Sequence, residues 1–193
     1  MSTFLKIHLI VCVVIALILP ILILKTKIRQ SKKGILIAVI VAVLFCAIQF
    51  LSPVENSFYG FATPEAAFSY YSTEEIVGSI ESGQSCMVVS KDSDGSLNHY
   101  FLTYGVLGYK LPTSFSSTKL RSGTVEGGSY EILNVTNRTE MYLVLTTTLT
   151  GEVTGPEGLL AVPTEEGTTV YAPLEDYKST VTITIGDTEL TIN

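Results

Sequence analysis

The sequence predicts a membrane-anchored α+β protein: an N-terminal two-helix transmembrane hairpin, then a mainly antiparallel β domain outside the membrane, opened by a short lead-in helix. Three observations predict it. Two apolar runs fill the first 53 residues, the charges segregate about that point, and the later chain breaks into short alternating segments separated by turn formers. Of 193 residues, 47% are hydrophobic and only 16% charged, against roughly 25% charged in soluble domains. Up to Pro53 there are six basic residues and no acid; beyond it stand six basic residues and all 18 acids, a net −12. Such a domain repels phosphate, which argues against a nucleic-acid partner. The partners implied are the lipid bilayer and a membrane or envelope protein.

The helices come first. Residues 7–24 and 35–51 are apolar runs whose length suits a hydrocarbon core of about 30 Å at about 1.5 Å rise per residue. Pro20 removes one backbone donor from the first run, which a membrane helix tolerates with a kink. The first run is too long for a signal-peptide core, and no A-x-A site follows it. Cys46 closes a sequence similar to a lipid-attachment site, but Phe45 before it is too bulky, so Cys12 and Cys46 read as small apolar residues. The intervening loop 25–34 carries five basic residues. The positive-inside rule assigns it to the cytoplasm and both termini to the exterior of a plasma membrane.

Residues 54–60 read as a linker and 61–193 as the exterior domain, large enough for a core of its own. Thr63-Pro64-Glu65 gives an N-cap hydroxyl, a proline at the first helical position and an early acid, with Ala67, Phe68 and Tyr71 on one face. Ser72 and Glu75 form a second capping-box pattern. The Ile76, Val77, Ile80 cluster behind it fits a short helix or the approach to a strand, and Gly78 weakens the helix. Strands are expected over 85–91 and 98–106, joined by the turn Asp92-Ser93-Asp94-Gly95, and over 130–135, 140–145, 159–162 and 169–172. The strongest local pattern is last: 180–185 and 188–192 alternate strictly around Gly186-Asp187, a two-residue hairpin turn. Whether two subdomains meet near 114–128 is left open.

Residues with chemical potential are few. His99 is the only histidine outside the first apolar run, and its place beside a turn reads as a surface position. No G-x-S-x-G elbow, phosphate-binding glycine loop or zinc ligand spacing is present. Cys86, beside Met87, Val88 and Val89, reads as a buried strand cysteine. Asp92 and Asp94 open like a calcium loop, but position 103 is Thr where a bidentate Glu is required, so a plain turn is expected. Glu74-Glu75 and Glu165-Glu166 read as solvated acids, and the sequon residues Asn134 and Asn137 as turn formers. No catalytic, cofactor-binding or metal-ligating residue is assigned.

The stretch from Phe61 to Tyr70, then Ile80-Glu81-Ser82-Gly83-Gln84-Ser85 and Gly108-Tyr109-Lys110-Leu111-Pro112, resembles small membrane-anchored proteins of Gram-positive bacteria. In these a TPEEAF-Y helix precedes an IEG-S-LVV strand. The resemblance covers about a quarter of the chain. It implies a bacterial plasma membrane and transfers no activity and no site residue. The function expected is non-enzymatic: an exterior domain presented for protein or ligand contact, as sensor, accessory subunit or envelope module. The alternatives are an exterior hydrolase or transferase with a dispersed site, and a small membrane subunit of a transporter or immunity-type protein.

Overall fold

The computed structural model describes residues 1–25, 32–51, 53–113, 116–176 and 178–192. Most of the basic loop, residues 26–31, lies outside the described residues, as do Ser114 and Phe115 at the head of the 114–128 junction. Helices α1 (Thr3–Lys25) and α2 (Lys32–Leu51) are long and apolar enough to cross a membrane by length and composition. The first begins ahead of its apolar run because Ser2 caps it: Leu5 N–H donates to Ser2 Oγ at 3.3 Å and Lys6 N–H to Ser2 O at 3.1 Å. Phe4 meets Phe50 with ring centroids 6.3 Å apart, and the thiol of Cys12 meets that of Cys46. One index falls as the other rises, so the pair is antiparallel. Their large aliphatic side chains point outward, uncovered by protein.

The stretch expected to be a linker is built into the domain. Val54–Ser57 is a 3-10 turn, and Asn56 exchanges two hydrogen bonds with the backbone of Leu111, at 3.0 and 2.7 Å. Helix α3 (Pro64–Tyr71) starts as its sequence requires: Ala66 N–H donates to Thr63 Oγ1 at 3.2 Å, with Pro64 behind the cap.

Three antiparallel sheets follow. The first is a meander of β1 (Glu75–Ser82), β2 (Ser85–Lys91), β3 (Leu97–Gly105) and β4 (Gly108–Tyr109). The second contains β5 (Ser117–Val125), β6 (Gly128–Val135), β7 (Met141–Thr147), β9 (Leu160–Thr164) and β10 (Gly167–Leu174), in the order β5-β6-β7-β10-β9. The third joins β8 (Val153–Thr154) to β11 (Val181–Ile185) and β12 (Thr188–Ile192). The cluster after Ser72 is thus a strand, β1, with a bulge between Ile76 and Gly78. A Cβ on Gly78 would lie 2.9 Å from Leu160 Cδ2, so the residue that weakened a helix assignment leaves room for a neighbouring strand.

Side-chain parity explains how the layers stack, since alternate residues of a strand face opposite ways. From β2, Cys86 and Val88 pack with Leu102 against Ala67, Phe68 and Phe4, while Met87 and Val89 face the second sheet with Phe101. In the second sheet, Leu133, Tyr142 and Tyr171 meet that face. Ile132, Leu143, Leu145 and Val170 point the other way, onto Val181, Ile183, Ile185, Leu190 and Ile192. The domain is therefore four layers: α3, then three sheets. Its two inner sheets are covered on both faces, which is why β2 carries the unbroken apolar run Cys86-Met87-Val88-Val89 and β10 is buried on both sides along nearly all its length.

A cleft between the first two sheets

The facing surfaces of the first and second sheets do not stay in contact along their whole length. Strand pairing arranges the second sheet into rows. Leu133 and Tyr142 share one row; Glu131, Val144, Tyr171 and Leu160 the next; Ser129, Thr146, Thr169 and Val162 the third. Opposite them, the first sheet offers Met87 and Phe101, then Val89 and His99, then Lys91 and Leu97. Side chains shrink from one row to the next, so the sheets close at one end and part at the other. At the closed end the Phe101 and Tyr142 rings lie 5.4 Å apart, and in the middle those of His99 and Tyr171 lie 6.3 Å apart. Beyond them opens a cleft of two contiguous hollows, about 260 Å³ over His99 and Tyr171 and about 880 Å³ reaching the β2–β3 and β9–β10 turns.

The lining is chemically mixed. Ser129, Thr146, Thr164 and Thr169 supply hydroxyls, and Asp94, Glu131, Glu165 and Glu166 supply carboxylates against the single amine of Lys91. Glu131 is paired with Lys119 of β5. Burial lowers the pKa of His99, with the charge of Glu131 pulling the other way, so at neutral pH the ring is an uncharged donor and acceptor. Burial also pushes the Tyr171 hydroxyl up to about 12. Among the described residues no hydrogen bond joins His99 to a hydroxyl or a carboxylate; its ring meets those of Phe101 and Tyr171. The sequence placed His99 at the surface; its ring instead lies between two sheets. The sequence trace of the cleft is the triad Ser129, Thr146 and Thr169, short polar residues where neighbouring strands carry large apolar ones.

Other residues singled out above are used structurally. Cys86 is wholly buried and its thiol is pushed up to about 12, first by burial and then by Glu81 and Glu65, which makes it a poor nucleophile. Asp92 Oδ1 accepts the backbone N–H groups of Asp94 and Ser96, both at 2.9 Å, closing the expected turn. Glu74 is no free acid. It accepts from Ser90 Oγ at 2.6 Å, Tyr100 hydroxyl at 2.9 Å and Asn98 Nδ2 at 3.4 Å, tying the start of β1 to β2 and β3. Glu165 and Glu166 are exposed at the cleft mouth. Asn137 takes the left-handed turn position at φ 62°, which suits Asn. Asn134 is different: its Nδ2 donates to the carbonyls of Arg138 and Glu140, both at 3.1 Å.

A second cluster lies where α1 meets the domain. His8 is 1% exposed. Its Nδ1 donates to Phe4 O at 2.8 Å, and its Nε2 faces Glu55 Oε2 at 3.5 Å. The other oxygen of Glu55 accepts the Tyr70 hydroxyl at 3.0 Å. Phe4 itself packs on Tyr71, with centroids 5.2 Å apart. The helix pair thus meets α3 through one aromatic contact and a polar cluster in which His8 Nε2 and Glu55 Oε2 face each other without a hydrogen bond. Sequence reasoning missed it because its members are 47 and 15 residues apart along the chain.

No family model, no curated protein and no solved structure matches this chain.

Proposed function

We propose that this is a two-pass plasma-membrane protein of a bacterium whose exterior domain is a binding module, with the inter-sheet cleft as its site. The observation that carries the reading is the cleft itself: hydroxyl-rich, mildly acidic, with a neutral imidazole and a tyrosine ring at its narrow end. Concave sites with a few convergent polar groups on a rigid scaffold are where ligands bind. The carboxylates around it disfavour anions and suit an uncharged polyhydroxyl ligand or a cationic, polar peptide segment. The membrane reading is supported by two helices whose apolar surface needs a lipid solvent, and by the basic loop between them. That loop is assigned to the cytoplasm and the domain to the exterior.

Two measurements test this. A membrane-impermeant thiol reagent applied to intact cells should label Ser93→Cys in the β2–β3 turn and spare Ser31→Cys in the basic loop; the reverse pattern inverts the topology. Full-length protein in lipid nanodiscs is then titrated with neutral oligosaccharides, cationic peptides and anionic oligosaccharides. A neutral or cationic ligand should bind, and Thr169→Phe should weaken it at least tenfold by filling the narrow end. Equal binding by that variant, or preference for the anionic set, would remove the cleft as the site.

A further inference from the structure

We infer that the turn between β3 and β4, together with Phe58 and Tyr59, inserts into the interfacial layer of the same bilayer that holds α1 and α2. This rests on the membrane reading above and adds a second point of attachment to it. Val106 and Leu107 occupy the tip of a tight turn between Gly105 and Gly108, where Asn and Gly are the usual residues. Val106 is fully exposed and Leu107 is 52% exposed. Phe58 is 69% exposed and Tyr59 is 55% exposed.

These four side chains form one patch. A Cβ on Gly60 would lie only 2.2 Å from Leu107 O, and Phe61 and Tyr109 exchange two backbone hydrogen bonds of 2.8 Å. The turn is therefore fixed to the backbone that follows Tyr59. The patch also has a level. The N–H groups of Phe58 and Tyr59 both donate to Glu55 O, at 3.1 and 2.8 Å, and the Glu55 carboxylate faces His8 in the second turn of α1. Phe58 and Tyr59 are thus held beside the ends of the apolar helices, where aromatic side chains favour the headgroup boundary.

Charge near the turn is mixed: Glu81 accepts the Tyr109 hydroxyl at 2.6 Å, and Lys110 follows β4. Lys110 Nζ donates to Tyr59 O at 3.0 Å, at the edge of the patch. A bilayer interface, apolar beneath its polar headgroups, is the partner that exposed Val, Leu, Phe and Tyr side chains fit.

The chain has no Trp, so single substitutions make clean probes. Leu107→Trp, Ser93→Trp and Leu44→Trp are each placed in the full-length protein in nanodiscs of phosphatidylcholine and phosphatidylglycerol with brominated acyl chains. Leu44 reports α2, and Ser93 lies beyond the opposite end of β3. Leu107→Trp should be blue-shifted and quenched several-fold more than Ser93→Trp. If Leu44→Trp is quenched while Leu107→Trp behaves like Ser93→Trp, the insertion is refuted and the anchor stands. If Leu44→Trp escapes quenching, the membrane reading itself fails. A blue shift at Leu107→Trp without quenching means protein covers the patch, which also overturns the inference.

Discussion

Replacing His8 by Ala should loosen the β-rich domain from the helix pair while leaving both folded. The imidazole spends Nδ1 on a carbonyl, which only accepts, so Nε2 and Glu55 Oε2 attract one another only with a proton between them. Neither Nε2 nor Oε2 has a hydrogen-bond partner among the described residues, so the pair acts only through charge across 3.5 Å, and the His8 ring packed on Phe4 and Phe50 is lost with it. A substitution that leaves a buried gap of this kind costs about 0.5–3 kcal/mol. At about 1.4 kcal/mol per factor of ten, the opening equilibrium of this joint should rise about 2- to 150-fold. Phe4 would then leave its seat on Phe68 and Tyr71, and α3 would lose its outer cover. Hydrogen exchange of the Ala67 and Ser72 amides, which close α3, reads this directly in nanodisc-embedded protein. A cycle with Glu55→Gln isolates the pair: the two single effects should exceed the double by at least about 0.5 kcal/mol. Strict additivity, or unchanged exchange in His8→Ala, would refute the joint.

Two further outcomes follow from the packing and the titrating groups. Deleting 179–193 removes Val181, Ile183, Ile185, Leu190 and Ile192 from the larger core. At about 1.5–3 kcal/mol for each buried aliphatic side chain, the loss matches the whole stability of a typical domain. The thermal transition should vanish, and its survival would deny the third sheet a place in the core. Glu140 is the acidic case. Burial opposes its ionisation, but the backbone N–H groups of Gln84, Glu140 itself and Thr139, and the charge of Arg138, outweigh burial and lower its pKa. Its contribution is therefore present above the ordinary carboxylate range and lost as pH falls through the lowered value. Wild type should lose stability faster than Glu140→Gln between about pH 5 and pH 3, by about 1 kcal/mol for a partly exposed group, read from thermal unfolding. Parallel curves would dismiss this clamp between the β1–β2 and β6–β7 turns.

The elements legible in the sequence were those whose signal is local. The apolar runs, the Thr63-Pro64 helix start, the Asp92 turn and the Gly186-Asp187 hairpin each carry their own instruction within a dozen residues. β5 escaped because Ser117–Val125 is polar on both faces: it is an edge strand with Lys119, Arg121 and a bulge, so no apolar alternation marks it. β1 stayed ambiguous because Gly78 carries a bulge that breaks period two. The cleft was illegible for another reason. Ser129, Thr146 and Thr169 come from three strands and become a row only through pairing, and His99 becomes a cleft residue only once a second sheet lies over it.

The strand order of the second sheet also sets a schedule for assembly. β10 lies between β7 and β9 although it is the last of the sheet to be synthesised. Until Gly167–Leu174 has emerged, β7 presents Leu143, Val144 and Leu145 along an unpaired edge, and neither flanking layer has a complete surface to rest on. A nascent chain therefore passes through an extended interval in which its most apolar strands are open to one another and to neighbouring chains, longer than any local hairpin would impose. Lys119 and Arg121 on one border of the finished sheet and Pro163 on the other discourage sideways growth there, but nothing equivalent guards the gap where β10 will sit. The vulnerable moment for this protein comes once β7 has emerged and before β10 has, and a stall in that window should be the one that most readily yields aggregate.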